Sequence, residues 1–148
     1  ARDPDPYGLG PIPPLPTWIA PGADPRFPLA LVTPKSRART HSTHDNQEIL
    51  SRADSRDVWM NPNDAAARGI TDGQLVRVFN DRGATVLPVR VTDRIAAGVV
   101  SIKEGAWFTP DGTGVDTRGC ANVLTADRAS PGGATTYNTN CVEIAAAS

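Results

Sequence analysis

The chain has 148 residues, 39% hydrophobic and 21% charged, the size and make-up of one globular domain with a modest core. Fifteen basic against sixteen acidic residues leave a net charge of −1, which argues against a general nucleic-acid or membrane-surface binder, whose footprint is a strongly basic face. No apolar run reaches membrane-spanning length, Ala1 opens no signal peptide, and the missing initiator methionine leads us to expect a piece of something larger.

Ten of the fourteen prolines, but only three of the thirteen glycines, lie within residues 1–34. Such a segment is extended and cannot be helical. Residues 1–26 are therefore expected to form a proline-rich connector with Trp18 and Ile19 as anchors, and residues 27–148 the folded domain. The apolar run Phe27 to Val32 reads as a buried strand. Beyond it comes the most distinctive stretch of the chain, Pro34 to Thr43, with Lys35, Arg37, Arg39, His41 and several hydroxyls. No acid occurs between Asp24 and Asp45. A donor-dense loop at a strand end suits an anionic phosphate ligand, with forks from arginine and an oxygen shell of hydroxyls and N–H groups. The plain alternative is a solvated basic turn.

Ser42 or Asp45 is expected to cap a short helix carrying Ile49 and Leu50 on one face. Val58 to Met60 reads as a strand. Asn61-Pro62 then opens a helix that stops at Gly69, with asparagine as the cap and proline in the first turn. Leu75 to Phe79 alternates as a half-buried strand, and Asn80-Asp81-Arg82-Gly83 is a hairpin turn. The return strand, Ala84 to Val91, contains Pro88, which points to an edge or a bulge. Ile95 to Gly98 is a turn, Val99 to Ile102 a buried strand, and Glu104 to Gly119 a long loop with Trp107 and Phe108 packed inward. Trp59 and Trp107 are expected in the core, and Asn140 to Ile144 is the last strand. The sum is a small, mainly β barrel with a few short helices.

Cys120 and Cys141 are too few for a disulfide scaffold. With His41 and His44 they fit no structural zinc spacing. Free thiols or one optional disulfide remain open. Asn61 is more simply a helix cap than a ligand contact, and Asp64 and Asp72 serve a first helical turn and a tight turn.

Six strings in order resemble the C-terminal cofactor domain of the molybdopterin oxidoreductases, the dimethyl sulfoxide reductase family. They are Leu31-Val32-Thr33-Pro34 with Arg39 to Thr43, Trp59 to Ala65, Arg68 to Gly73, Val76 to Gly83, Glu104 to Trp107, and Gly119 to Thr125. The likeness spans about Phe27 to Ile144, and the wording is nearest to the anaerobic reductases' catalytic subunits. It implies a six-stranded double-psi β-barrel and a bis(molybdopterin guanine dinucleotide) molybdenum cofactor. It further implies that Thr33, Lys35, Arg39, His41, Ser42 and Thr43 contact the cofactor from the first loop. Asn122 and Asn138 would offer amides to the pterin edge, with Arg82 a further contact. The chain departs from the pattern at Lys35, where a histidine is expected, and at Ala134-Thr135, where relatives often have Gly-Asn.

No catalytic residue and no metal ligand of the protein are expected here. Two isolated cysteines cannot ligate an iron–sulfur cluster, which would lie elsewhere in the parent protein. The resemblance implies S-oxide or N-oxide reduction by the full enzyme, with this domain alone inactive and carrying no cofactor. Implied partners are the remaining domains of the catalytic subunit, an iron–sulfur electron-transfer subunit and a membrane anchor subunit, with no nucleic acid. The parent would be exported to the outer face of the cytoplasmic membrane or the periplasm. Two other readings stay open: the same domain in a formate dehydrogenase, nitrate reductase or polysulfide reductase, and a free-standing double-psi barrel that binds peptides or proteins.

Overall fold

The computed structural model describes residues 14, 15, 17, 24–127, 135 and 137–147. Trp18, Ile19 and Ala134 lie outside these. Six strands form a closed barrel: β1 (Leu29–Val32), β2 (Val58–Met60), β3 (Leu75–Asn80), β4 (Gly83–Val91), β5 (Val99–Ile102) and β6 (Asn140–Ala146). Their order around the barrel is β1-β5-β2-β4-β3-β6. β1 runs parallel to β5 and β2 parallel to β4, while all other neighbours are antiparallel. Two parallel pairs require two crossover connections, the double-psi arrangement expected from the sequence.

Strand alternation builds the core. Each strand sends two apolar side chains inward: Leu29 and Leu31, Val58 and Met60, Val76 and Val78, Leu87 and Val89, Val100 and Ile102, Val142 and Ile144, all nearly or fully buried. Full burial of each contributes roughly 1.5–3 kcal/mol. Leu124 and Ala121, from a 3-10 turn at Ala121–Val123, join the same core.

The hairpin between β3 and β4 turns at Asp81-Arg82, with Asn80 paired to Gly83. Its tip holds the 3-10 turn in place. Asn80 Nδ2 donates to the carbonyls of Leu124 (2.8 Å) and Cys141 (3.1 Å), and Arg82 Nε and Nη2 donate to the Leu124 carbonyl at 3.0 and 2.9 Å. A β-carbon on Gly83 would stand 2.8 Å from the Val123 carbonyl oxygen, so the close approach requires glycine. At the start of β1, Arg26 pairs with Asp81 (2.7 Å), and the Phe27 and Phe79 rings meet edge-to-face.

α2 (Pro62–Ala66) begins as expected: the Asn61 side chain accepts from Asn63 N, and its Nδ2 donates to the Ile95 carbonyl. Asp64 reaches beyond its own first turn to accept from Gly98 N, and Asp72 accepts from Val91 N.

Four expectations are corrected. α1 (Glu48–Ala53) has Gln47 at its N-cap with no side-chain cap, because the Asp45 carboxylate is engaged by arginines and Ser42 lies too far upstream; Ile49 is exposed. Pro88 marks neither an edge nor a bulge. It closes the β3–β4 ladder opposite Leu75, and pairing with β2 begins only at Val89, so its missing N–H falls between the two ladders. Trp59 is half-buried on the barrel's outside, since β2 turns Val58 and Met60 inward; Arg90 and Arg94 lie over its ring. Trp107 and Phe108 are exposed, and Ala106 is the buried residue beside them.

The loop from Glu104 to Gly119 is organised by Asp116, which is fully buried. One of its oxygens accepts from Thr109 N (2.9 Å). The other accepts from the Thr85 hydroxyl (2.6 Å), Cys120 N (2.8 Å) and Arg118 N (3.1 Å). This satisfies the one hydroxyl that β4 turns into the barrel.

Candidate functional site

A groove of about 420 Å³ opens where the loop after β1, the start of the long loop, the 3-10 turn and the approach to β6 converge. Thr33, His41, Ser42, Glu104, Asn122 and Tyr137 line it. The asparagine-bearing loops and the hydroxyl-rich turn thus share one concave surface.

Thr33 and Asn138 are tied directly. The Thr33 N–H and hydroxyl both donate to Asn138 Oδ1, at 2.9 and 3.2 Å. This bond uses the amide's acceptor, and its two N–H donors have no partner among the described residues. The Asn122 side chain is exposed and makes no hydrogen bond among the described residues, so both its donor and its acceptor are available. Asn122 owes its position to the clamp that Asn80 and Arg82 place on the Leu124 carbonyl.

His41 sits in the left-handed region (φ 53°), with its side chain largely exposed. Its Nδ1 lies 3.2 Å from Lys35 Nζ and 3.3 Å from Glu104 Oε1, and Lys35 donates to that same carboxylate oxygen at 2.6 Å. Lys35 is therefore held by Glu104 at the rim.

The other cations of the turn do not face the groove. The Arg39 side chain is 5% exposed and pairs with Asp45 Oδ1 at 3.1 Å; it also donates to the Glu104 carbonyl at 3.2 Å. Arg39, expected to contact a ligand, forms a buried pair with Asp45, the acid that ends the acid-free stretch. Thr43 donates to the Thr40 carbonyl at 2.6 Å and does not line the groove. Arg82 spends its guanidinium on the Leu124 carbonyl. What the turn offers the groove is Thr33, Ser42 and His41, two hydroxyls and an imidazole.

Sequence reasoning missed Asp45. Its fully buried carboxylate gathers Arg39 and Arg56 on Oδ1 and Trp107 N and Arg118 on Oδ2. Trp107 Nε1 also donates to the Ser42 carbonyl at 2.6 Å, so the groove wall at Ser42 is pinned to the long loop. The only sequence signal was that Asp45 is the first acid after a long basic stretch. Below the groove, Asp54 accepts from Ser36 and Lys103. Burial opposes ionisation of Asp54, yet Lys103, Ser36 and Arg39 together hold its carboxyl below the ordinary value. Cys120 and Cys141 are both free, and burial pushes the Cys120 thiol up.

The structure is a closed barrel whose loops gather amides and hydroxyls in one groove. Residues 29–142 match the family described as the Molydopterin dinucleotide binding domain, and the chain belongs to that family. It is 48% identical over 106 residues to the dimethyl sulfoxide reductase DmsA of Haemophilus influenzae, covering 72% of this chain and 13% of that protein. It is 46% identical over 106 residues to DmsA of Escherichia coli, with the same shares of each chain covered. The biotin sulfoxide reductase of Cereibacter sphaeroides is 41% identical over 122 residues, covering 77% of this chain and 16% of that one. The chain thus spans about a seventh of the length of these relatives. Among solved structures, the acetylene hydratase of Pelobacter acetylenicus superposes with a TM-score of 0.68 at 15% identity, over 82% of this chain and 18% of that one, which is a likeness of fold.

Proposed function

We infer that this chain holds one face of a bis(molybdopterin guanine dinucleotide) cofactor, as the C-terminal module of an oxidoreductase that reduces S-oxides or N-oxides. The observation that carries the reading is the convergence of Thr33, Ser42, His41 and Asn122 on one groove, with Asn138 tied to Thr33 beside it. A pterin edge presents ring nitrogens, an amine and a carbonyl side by side, and amides with both donor and acceptor answer it. The donor set therefore fits a pterin edge better than a diphosphate, whose charge calls for unpaired cations. Drug-sized ligands fill about 300–1,000 Å³, so a groove of about 420 Å³ accommodates part of a dinucleotide and leaves the rest to other domains.

When bound, the molybdenum supplies the redox chemistry; this chain's residues hold and orient the pterin. Thr33 fixes the rotamer of Asn138. Ser42 is held by Trp107, and Asn122 is presented by the clamped 3-10 turn. The substrate reading rests on the relatives, whose names are those of dimethyl sulfoxide, trimethylamine N-oxide and biotin sulfoxide reductases. On this reading the iron–sulfur cluster, the electron-transfer and anchor subunits, and export from the cytoplasm belong to the parent enzyme.

The test is cofactor retention. In the intact enzyme, Asn122→Ala lowers both the molybdenum content and the guanine nucleotide released per polypeptide on acid hydrolysis. Unchanged content in both measurements overturns the reading. The chain by itself purifies without molybdenum and without reductase activity; stoichiometric molybdenum in that preparation overturns its dependence on other domains.

A further inference from the structure

Away from the groove, on the opposite side of Asp45, the structure gathers more positive charge than its acids answer. Arg39, Arg56, Lys103 and Arg118 surround Asp45 and Asp54 and share a pocket with Asp57: four cations to three carboxylates. Asp57, which borders the cluster, faces Arg90 instead at 4.0 Å. The two arginines nearest the surface are incompletely used. Arg118 reaches Asp45 only through Nη2, at 3.4 Å to both the carbonyl and Oδ2, while its buried Nε has no partner. Arg56 makes all its side-chain bonds through a single nitrogen, Nη2, to Asp45 and Ser51. Burial opposes the Arg56 charge despite the pull of Asp45, and Arg118 and Arg39 push the same way, so its pKa is lowered.

Both guanidinium groups line a cleft of about 390 Å³ whose remaining wall includes Leu75, Pro88 and Thr117. Leu75 is 56% exposed on the barrel's outer face, since its neighbour Val76 points into the core. A cationic pair beside an aliphatic wall matches an acid followed closely by an apolar residue. Arginine forks take a carboxylate in bidentate fashion, and Leu75 and Pro88 offer apolar area.

We propose that the Arg56–Arg118 cleft is a docking site for an acidic segment of a partner polypeptide, with one carboxylate seated between the two guanidinium groups and an adjacent apolar side chain against Leu75 and Pro88. The charge surplus selects this occupant: an uncharged apolar segment would leave the arginines unanswered, and a basic one would be repelled. The site shares no lining residue with the groove and does not depend on what the groove holds.

The experiment titrates the 15N-labelled chain with an acetylated, amidated peptide, Asp-Leu-Glu-Leu, and follows amide shifts. Controls are the Asn-Leu-Gln-Leu peptide and inorganic phosphate. The expected result is saturable shifts at Ser51, Leu75, Thr117 and Arg118 with the acidic peptide, and at least a tenfold smaller response with the amide peptide. Arg118→Gln, which leaves the backbone bond to Asp116 intact, removes the shifts, and Leu75→Ser weakens them. Shifts confined to the groove residues, an equal response from the Arg118→Gln variant, or no response at all overturn the proposal. Phosphate producing the same shifts at the same concentration also overturns it, by reducing the site to one for small oxyanions.

Discussion

A β-carbon placed on Gly105 would stand 1.8 Å from the carbonyl oxygen of His41. Two loops cross there in backbone contact, and both crossing residues are left-handed, His41 at φ 53° and Gly105 at φ 91°. The position of His41 at the groove rim is therefore set by the backbone of the long loop. Gly105→Ala adds strain at a positive φ to a clash that only backbone movement relieves. It should cost about 2–4 kcal/mol in urea unfolding and displace His41, seen as a changed His41 ring signal in NMR spectra.

Asp45 holds Arg39, Arg56 and Arg118 with a carboxylate that has no exposure to water. Truncating one side of a buried ion pair leaves the other charge uncompensated. Arg39→Ala and Asp45→Asn should each destabilise the chain by about 3–5 kcal/mol, measured by denaturant midpoint. An Arg39→Ala variant of unaltered stability would show that the buried pair does not support the fold.

Asn122 and Asn138 separate ligand contact from scaffolding. Asn138 accepts twice from Thr33, so Asn138→Ala should lose about 1 kcal/mol of stability. Asn122→Ala removes no bond among the described residues and should stay within about 0.5 kcal/mol of the parent. Thermal unfolding of the two variants distinguishes them.

Asp116 predicts the acid limb of stability. Burial pushes its carboxyl up most strongly of any single influence. The N–H groups of Thr109, Cys120 and Arg118 and the Thr85 hydroxyl together outweigh it and hold the group below the ordinary carboxylate value. A group whose folded pKa is depressed contributes stability that is complete above its unfolded value of about 3.9 and is lost as pH falls through the folded value. Stability should therefore fall below about pH 4, and the fall should be shallower in Asp116→Asn, measured by urea midpoints from pH 2 to 6.

The strands were legible because their inward residues alternate without exception. Val99–Ile102 and Val58–Met60 fall where the pattern puts them, and the Asn61-Pro62 start of α2 follows from local capping chemistry. The same alternation explains Trp59: strict period two with Val58 and Met60 inward places it outside. The site was half legible. Thr33, His41, Ser42 and Asn122 meet in one groove as the motifs imply, but the fate of Arg39 depended on Asp45, whose partners at positions 39, 56 and 118 form no local spacing. Trp107 was misread because apolarity marks burial, whereas its indole is fixed by a bond to the Ser42 carbonyl while its face stays open to solvent.

The pairing of β6 between β1 and β3 has a consequence for how the chain matures. Until residues 140–146 emerge from the ribosome, the first strand and the third each present an unsatisfied edge, and the ring cannot close. Joining elements more than a hundred positions apart makes closure a slow, late event. During that interval the nascent chain is open to strand-mediated self-association, so chaperone occupancy should end only after β6 is translated.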